Sequence, residues 1–398
     1  MPIIDMWNRA PGRRTGICPK WGAALPMVLL AFGMPGWAAE PAESPRTGTS
    51  ISYSNPKMPE VPWSIHVIRL NRDSPDYELH STLPTGRTLG LRTLTDQIKA
   101  MPAEWGRPIA AVNGDFWVEK GAVTGDPMGL QISAGELISA PGDRVCFWID
   151  TNGAPQMGSV LSLFRVTWPG GESLPIGLNS ELTNHAAILY SGVVGPTTRT
   201  PRSRELILEH ADGSPWTKLA VGETYSARVR EVRETGNSPV APGTMVLALS
   251  GDVAARFARY GVGETVRVST ATSPRLQGVK TAVGGGPTLV RDGVPAQWNG
   301  HQARHPRTAI GWNKTHLFLV QVDGRQRGLS VGMSFPELAD YMVKLGCEQA
   351  MNLDGGGSST CWVFGHVVNS PCYGHEREMA NALVVVFKDK PAPAPVPD

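Results

Sequence analysis

The chain has 398 residues, of which 41% are hydrophobic and 18% are charged, as in ordinary globular proteins. This length allows one large domain or two modest ones, and either can bury a sizeable core. The formal net charge of +2 is too small to favour nucleic acid or an anionic membrane as a partner. Its 45 glycines and 34 prolines favour a loop-rich, β-rich fold over a helical bundle.

The first forty residues have the pattern of a signal peptide. Basic residues between positions 9 and 20 precede a short apolar stretch at 21–32, and small residues at 36–39 offer a cleavage site. The stretch is too short to span a bilayer comfortably, although an anchoring helix is the alternative interpretation. We predict that residues 1–39 are a signal peptide and that the mature protein is exported, to the periplasm or outside the cell, with no membrane partner.

Composition changes at both ends of the remaining chain. Residues 40–60 are rich in Pro, Ser, Thr and Glu, which is typical of a linker. Residues 390–398 are rich in proline and predict a disordered, extended tail. Between them the sequence contains no repeat and no long breaker, so we predict one domain over residues 61–389.

Four cysteines remain after the predicted cleavage, namely Cys146, Cys347, Cys361 and Cys372. An even number in an oxidising compartment permits two disulfides, with three possible pairings. The short separation favours Cys361 with Cys372, and four buried thiols are the alternative. Because no CxxC pair is present, we expect no zinc site, and we predict no metal and no cofactor.

Strand patterns dominate the predicted domain. Alternating or β-branched runs bounded by turn residues predict strands at 63–70, 225–232, 265–269 and 383–387. Helices are predicted at 91–100, 252–260 and 334–345. The last begins with a capping box of Ser334 and Glu337 and ends before Gly346. The fold class is therefore α+β, a β-rich mixed sheet with a few helices.

The helix at 334–345 lies between two apolar strands, predicted at 317–322 and 350–353. A strand, a helix and a strand over this span predict a βαβ unit near residues 317–353, with parallel strands. Both strands then end at the same edge of the sheet, where Asp323 and Asp354 follow them. Open α/β sheets usually bind ligands at this edge, so the two carboxylates are candidate functional residues.

Three predicted strands end in the same way, with Asn113, Asp323 or Asp354 followed by glycine. A single instance is typical of a hairpin turn, but three favour a binding site. The run 355–359 has three glycines and two serines, whose backbone N–H groups could hold an anionic oxygen. A further run of glycine, 284–286, is neither a Walker loop nor a dinucleotide fingerprint.

Two arginines lie close to these segments in the sequence. Arg307 begins the segment that leads into a strand at 309–312, and Arg325 follows Asp323 and a glycine. Each guanidinium could hold phosphate or carboxylate in bidentate fashion. Structural or surface salt bridges are the alternative.

Taken in order, these segments resemble the phosphodiester glycosidase family. The resemblance is carried by VNGDFW, AVGGGPTLVRDG, HPRTAIGW, VDGRQRGLSVGMSFPELADYM and MNLDGGGSST, and it runs over most of residues 61–387. It implies a catalytic domain that hydrolyses the bond between a sugar anomeric carbon and a phosphodiester oxygen. The implied substrate is a sugar phosphodiester or a related cell-surface or exopolysaccharide glycan.

The chemistry implied by the resemblance assigns roles to the residues. A phosphomonoester with a second pKa near ~6 leaves without a strong general acid, so the site must bind its charge. Asp354 is expected at the anomeric carbon, with Asp323 as the second choice and Arg307 as a further catalytic residue. Substrate contacts are expected from Asn113, Asp115, Gly285, Gly286, Arg325, Asn352, Gly355, Gly356, Ser358 and Ser359.

The chain departs from the family at residues 115–117. The family usually has glycine and phenylalanine there, whereas this chain has Asp115, a further carboxylate, and Trp117, on which a sugar could stack. This departure leaves the substrate open. A metal-dependent hydrolase and a non-catalytic glycan- or cell-wall-binding module are the alternative functions. The metal ligands would be Asp115, Asp323 and Asp354 with one of His301, His305 or His375.

Overall fold

The computed structural model of the protein describes residues 50–58, 60–216 and 218–388. The predicted signal peptide at 1–39, the first ten residues of the predicted linker and the predicted tail at 390–398 lie outside them. All described residues belong to one compact unit of the chain. Over these ranges, no helix is both long enough and apolar enough to cross a membrane.

Most of the regular structure is strand. The first strands are β1 (Ile51–Ser54), β2 (Lys57–Met58), β3 (Trp63–Asn71), β4 (Tyr77–Ser81), β5 (Arg107–Asn113), β6 (Gln131–Ser133), β7 (Glu136–Ser139), β8 (Val145–Ile149) and β9 (Pro155–Ser159). The next are β10 (Leu161–Ser162), β11 (Arg165–Thr167), β12 (Ser173–Pro175), β13 (Gly177–Leu178), β14 (Ala187–Tyr190), β15 (Arg204–His210), β16 (Thr224–Arg233), β17 (Met245–Leu249), β18 (Thr265–Ser269) and β19 (Thr272–Ser273). The last are β20 (Thr281–Gly284), β21 (Thr288–Arg291), β22 (Val294–Pro295), β23 (Arg307–Trp312), β24 (His316–Val322), β25 (Gln349–Asn352), β26 (Cys361–Val363), β27 (His366–Val367) and β28 (Ala382–Phe387). The α-helices are α1 (Leu94–Lys99), α2 (Gly251–Arg256) and α3 (Phe335–Lys344), and 3-10 turns occur at Ala103–Trp105, Gly192–Val194 and Gly356–Ser358.

The four strands predicted from alternation, β3, β16, β18 and β28, are present, and their ends differ from prediction by at most one residue. The helices are shorter than predicted. Helix α1 begins after Thr93, whose side chain accepts a hydrogen bond from the Asp96 N–H. Helix α2 ends at Arg256, because the residues after it form isolated turns, such as the bond from Tyr260 N–H to the Phe257 carbonyl.

Helix α3 has the capping box that the sequence predicts. The Ser334 side chain accepts from the Glu337 N–H, and the Glu337 carboxylate accepts from the Ser334 N–H at 2.9 Å. One face of α3 buries Leu338 and Met342 in a core shared with strands of the large sheet. Burial of each such side chain contributes about 1.5–3 kcal/mol, so this face fixes the helix on the sheet.

The large sheet has the strand order β1-β3-β24-β23-β25-β21-β22, with β2 also paired to β3. Strand β23 pairs antiparallel with β24 on one side and with β25 on the other. Strands β24 and β25 therefore run in the same direction, with β23 between them. Val322 pairs with Arg307, and Asn352 pairs with Ala309, so both strands end beside the start of β23.

A second sheet, in the order β27-β26-β5-β28-β4, packs against the large one. Val112 and Leu383 of this sheet share a core with Ile310 and Met351 of the large sheet. Strand β5 ends at Asn113, opposite Ala382. The two sheets thus bring the polar residues after β5 close to those after β25.

Two further sheets complete the β-rich architecture. One has the order β7-β6-β20-β8-β9, and the other has the order β12-β11-β18-β16-β15-β17-β14-β13. Within the described residues, the parallel neighbours are β13 and β14. The domain is therefore a β-rich α+β fold with a mixed sheet, but the parallel pair lies outside the predicted βαβ segment.

Two predictions from composition are corrected by the structure. Residues 51–54, inside the predicted linker, form β1 and pair with β3, because Ile51 and its neighbours complete the edge of the large sheet. The four described cysteines are free, and three of them are buried. The expected bond between Cys361 and Cys372 is not formed, since Cys361 lies buried within β26 and Cys372 lies in a partly exposed turn.

Candidate active site

The buried side chain of Asn113 joins three segments of the chain. Its amide nitrogen donates to the carbonyl oxygen of Asp354 at 2.7 Å. Its oxygen accepts from the Thr308 hydroxyl at 2.6 Å and from the Thr360 N–H at 3.1 Å. The N–H of Asp354 in turn donates to the carbonyl of Gly114 at 2.9 Å. Asn113 therefore fixes the backbone position of Asp354.

Asp354 follows β25 and is 9% exposed. One carboxylate oxygen accepts from the Gly355 N–H at 2.8 Å, and Ser358 also hydrogen-bonds the carboxylate. Burial raises the pKa of Asp354 to about 6, although these bonds and the nearby cations Arg377 and Arg144 oppose the rise. This carboxyl is therefore largely ionised at neutral pH and becomes protonated in mild acid.

A second buried carboxyl, Asp115, interacts electrostatically with Asp354. Its two oxygens accept from the N–H groups of Phe116 and Gly129, both at 2.8 Å, and its own N–H donates to Asn381 Oδ1 at 2.8 Å. Burial raises the pKa of Asp115 to about 7, and the charge of Asp354 adds to the rise. The site thus holds two carboxyl groups whose pKa values burial raises towards neutrality.

The glycines at 284–286 are required by close packing. A Cβ on Gly284 would lie 2.3 Å from Asp115 Oδ2, and a Cβ on Gly285 would lie 2.7 Å from the carbonyl oxygen of Asn352. The N–H of Gly286 donates to the same carbonyl at 2.6 Å, and the Asn352 side chain donates to the Gly286 carbonyl at 3.0 Å. Gly285, Gly286 and Asn352 thus form one wall beside Asp115.

Four of the five backbone N–H groups in the loop at 355–359 donate to partners within the protein. The Gly355 N–H donates to Asp354, and the Gly356 N–H donates to the Pro306 carbonyl at 2.9 Å. The N–H groups of Ser358 and Ser359 donate within the loop as a 3-10 turn. These groups are therefore used internally, and side chains around the loop must supply most of the contacts to an anion.

Two arginines lie against this loop. The guanidinium of Arg325 packs on Gly356, where a Cβ would lie 3.2 Å from Nη2. Arg377 donates to Ser358 Oγ at 3.3 Å and to Glu119 at 2.8 Å. Among the described residues Arg325 forms no salt bridge, and its guanidinium contacts His305 Nδ1 at 3.3 Å. Arg325 is therefore the cation available to a bound anion.

Arg307 lies behind the loop. Its side chain donates to the carbonyls of Met333 at 2.9 Å and Ala303 at 3.1 Å, and its guanidinium lies 3.9 Å from the centre of the Phe335 ring. Burial, with the neighbouring charge of Arg325, lowers the pKa of Arg307 to about 10. Arg307 therefore adds buried positive charge, although its donors are partly occupied by the backbone.

Asp323 is held in a network separate from that of Asp354. Its carboxylate accepts from Asn369 at 3.2 Å and from the Ser370 N–H at 3.0 Å, and it contacts His66 at 3.1 Å. These partners outweigh burial and lower the pKa of Asp323. Asn369 also donates to the carbonyl of Ser359 at 3.1 Å, which links Asp323 indirectly to the loop.

The structure therefore gathers most of the predicted site residues around Asp354 and places two of them differently. Asp323 and Arg307 lie behind the loop, with their side chains already bonded. Sequence reasoning missed Arg144, Arg377 and Asn381. Arg377 and Asn381 follow the quoted motif MNLDGGGSST, in a part of the chain that the resemblance also covers, whereas nothing in the local sequence marks Arg144. No group of three or more His, Cys, Asp or Glu side chains in the described ranges is placed to hold a metal ion.

Part of the chain matches a known protein family. Residues 220–386 match the model of the phosphodiester glycosidase family, which confirms the resemblance found in the sequence. The match contains Asp354, Arg325 and Arg377, whereas Asn113 and Asp115 precede it. This partial match supports a glycosidase-like, hydrolytic function.

The relatives are distant. The uncharacterized SPbeta prophage-derived protein YomE of Bacillus subtilis (strain 168) is 32% identical over 119 residues, which are 28% of this chain and 18% of that protein. A hypothetical protein from Synechocystis has a TM-score of 0.69 at 18% identity, over 85% of this chain and 62% of that chain. A Burkholderia pseudomallei protein, described as exported, has a TM-score of 0.65 at 23% identity, over 81% of this chain and 74% of that chain. The two structures share the fold with this protein.

Proposed function

We propose that the protein is an exported glycoside hydrolase that cleaves the anomeric C–O bond of a sugar 1-phosphodiester or a related cell-surface or exopolysaccharide linkage. The observation that carries the proposal is the placement of Asp354. This buried carboxylate begins a loop on which Arg325 and Arg377 lie, and neither arginine is paired with it. A carboxylate beside the guanidinium of Arg325, which has no carboxylate partner among the described residues, suits a substrate that carries both an electrophilic carbon and a negative charge.

The phosphate of the substrate binds at Arg325 in this proposal. Arg325 is exposed, and Arg307 behind the loop adds positive charge without a carboxylate partner in the described part of the chain. Burial and the two arginines lower the pKa of His305, so this histidine is mostly neutral and adds no charge at neutral pH. A bound phosphomonoester leaves readily, so no strong general acid is required on this side.

Asp354 acts at the anomeric carbon, where positive charge develops in the transition state. We assign this role to Asp354 rather than Asp323 because the carboxylate of Asp323 is occupied by His66, Asn369 and Ser370. Asp323 then positions the loop through Asn369. Asp115 lies deeper, at 1% exposure, and its charge state tunes that of Asp354.

Export is the second part of the proposal. The basic, apolar and small-residue pattern of residues 1–39 supports it. The description of the Burkholderia pseudomallei structure as an exported protein agrees with it. An exported hydrolase meets glycans of the envelope or the surroundings, so a cell-surface or exopolysaccharide linkage is the proposed natural substrate.

Hydrolysis of two matched substrates tests the reaction class. The purified protein is given a sugar 1-phosphodiester and an aryl glycoside of the same sugar, and free sugar and phosphomonoester are both quantified. We expect cleavage of the phosphodiester, with a loss of at least about 100-fold in Asp354→Asn. The matched control is Asp340→Asn, a change at an exposed aspartate on α3, which should retain wild-type activity.

The other outcomes separate the alternatives. Binding of the phosphodiester without product release, in a folded protein, would replace the hydrolase by a glycan-binding module. Loss of cleavage with a chelator, restored by a divalent cation, would favour a metal-dependent hydrolase using Asp115 and Asp354. Cleavage that survives Asp354→Asn unchanged would overturn the proposed site.

A further inference from the structure

Three consecutive residues of the glycine loop each contact one side chain from outside it. Gly356 lies against Arg325, Gly357 lies against Tyr373, and Ser358 accepts a hydrogen bond from Arg377. The three side chains thus lie against one loop, and we call them the Arg325–Tyr373–Arg377 row. All three side chains contact the loop that begins with Asp354.

The ring of Tyr373 rests on backbone rather than in a core. A Cβ on Gly357 would lie 2.2 Å from Tyr373 Cε2 and 3.0 Å from Cδ2, so the ring covers this glycine closely. Tyr373 is nevertheless 56% exposed. Such a large exposed aromatic contributes little to the core, and its free surface faces solvent beside the candidate site.

The two arginines of the row differ in how firmly neighbouring side chains hold their guanidinium groups. Arg377 is fixed by Glu119, by Ser358 and by the ring of Trp117, whose centre lies 4.6 Å from the guanidinium carbon. Arg325 is exposed and has the weak contact with His305 described above. An anion is therefore expected at the Arg325 end of the row, with the neighbouring ring of Tyr373 left for an uncharged part of the ligand.

We propose that Tyr373 is the platform for the sugar ring of the substrate. This inference rests on the proposed function and assigns the sugar ring of that substrate to Tyr373, with its anomeric phosphodiester at Arg325. A sugar ring has an apolar C–H face that packs on an aromatic surface, and a linear polyol phosphate has no such rigid face. The Arg325–Tyr373–Arg377 row thus selects for ring and charge together.

Gly357 provides a second way to test the platform. Its backbone is outside the left-handed region, so alanine is conformationally allowed there, but the new Cβ would collide with the Tyr373 ring. Gly357→Ala should therefore displace the ring while leaving Tyr373 in the chain. Phe364→Ala is the matched control, because Phe364 is another exposed aromatic, at 62% exposure, on the turn between β26 and β27.

Binding is measured by calorimetry in the Asp354→Asn background, which blocks turnover. The probes are the sugar 1-phosphodiester used above and inorganic phosphate. We expect Tyr373→Ala and Gly357→Ala to weaken phosphodiester binding by about tenfold, whereas Tyr373→Phe and Phe364→Ala keep the parent affinity. Phosphate affinity should be the same in all of these variants. With Asp354 intact, Tyr373→Ala should raise KM more than it lowers kcat.

The binding and hydrolysis measurements test two different claims. The first is that Tyr373 contacts the sugar ring, and the second is that the protein hydrolyses the substrate. Unchanged phosphodiester affinity in Tyr373→Ala, or an equal loss for inorganic phosphate, would overturn the platform even if the enzyme hydrolyses the substrate. Tyr373-dependent binding without hydrolysis would support the platform and overturn the hydrolase. Absence of phosphodiester binding in every variant, including the parent, would overturn the platform.

Discussion

The side-chain amide of Asn113 donates to the backbone carbonyl of Asp354 at 2.7 Å. The two residues are 241 positions apart in the chain; Asn113 ends β5, and Asp354 lies two residues after the end of β25, a strand of the other sheet. The candidate catalytic carboxylate is therefore held in place by a residue from the opposite sheet. This bond makes the geometry of the site depend on the packing of the two sheets.

The first prediction concerns this bond. Asn113→Ala leaves the buried Thr308 hydroxyl, the Thr360 N–H and the Asp354 carbonyl without their partner. We expect the free energy of unfolding to fall by about 3 kcal/mol, measured by urea denaturation. We also expect kcat to fall by at least about tenfold, because Asp354 moves. A variant that loses stability but keeps full kcat would show that Asn113 stabilises the fold but does not position Asp354 for catalysis.

The second prediction is the pH dependence of hydrolysis. Asp354 must be ionised to stabilise positive charge at the anomeric carbon, and its pKa is about 6. The value of kcat/KM should therefore fall below this pH, by about tenfold per unit. Arg144 lowers the pKa of Asp354, so Arg144→Gln should move the acid limb to higher pH. An acid limb that stays in place or moves to lower pH would contradict the assignment.

The third prediction concerns stability at Asp126, whose buried carboxyl accepts from the Ser139 hydroxyl at 3.0 Å. Burial raises its pKa from 3.8 to about 7. The folded state therefore favours the protonated form, and the associated stability is lost as the pH rises through about 7. The loss is at most about 4 kcal/mol, at about 1.4 kcal/mol per pKa unit.

Asp126→Asn removes this titration. We expect the free energy of unfolding of the variant to increase relative to that of wild type as the pH rises from about 5 to about 8. The measurement is urea denaturation at each pH. The comparison with wild type cancels the contributions of other groups. A stability difference that stays constant across this range would mean that Asp126 titrates alike in the folded and unfolded protein.

The fourth prediction separates Asp323 from Asp354. The pKa of Asp323 is lowered, so its contribution to stability is present above the ordinary value of 3.8 and is lost as the pH falls through the folded pKa. Asp323→Asn should lower the free energy of unfolding by about 2 kcal/mol at neutral pH, and less in acid. It should retain measurable hydrolysis, unlike Asp354→Asn. A folded but equally inactive Asp323→Asn would give Asp323 the role at the anomeric carbon.

The sequence pattern correctly predicted those elements that depend on interactions between residues close together in the chain. The capping box of Ser334 and Glu337 located the start of α3, and alternation located β18 to the residue. The residues after β5 and β25 were found because glycine and a short polar side chain mark sharp turns. Asp354 and Asn113 follow from this signal, and the structure brings them together.

Long-range pairing was less accessible from the sequence. The insertion of β23 between β24 and β25 depends on contacts between segments that have similar apolar patterns, so the sequence favoured a simple parallel pair. The same limit hid Arg144, which reaches Asp115 and Asp354 only through the fold. The composition of residues 40–60 predicted a linker where the structure has β1, because a polar edge strand resembles a linker in composition.

Strand β28 has a consequence for how the protein is made. It lies between β5 and β4, and its residue Ala382 pairs with Asn113. A ribosome synthesises β4 and β5 long before β28, so β5 has an open edge for about 270 residues of synthesis and β4 for about 300. Open edges invite wrong partners. The candidate site can close only after β28 has been made, which is compatible with the export proposed above.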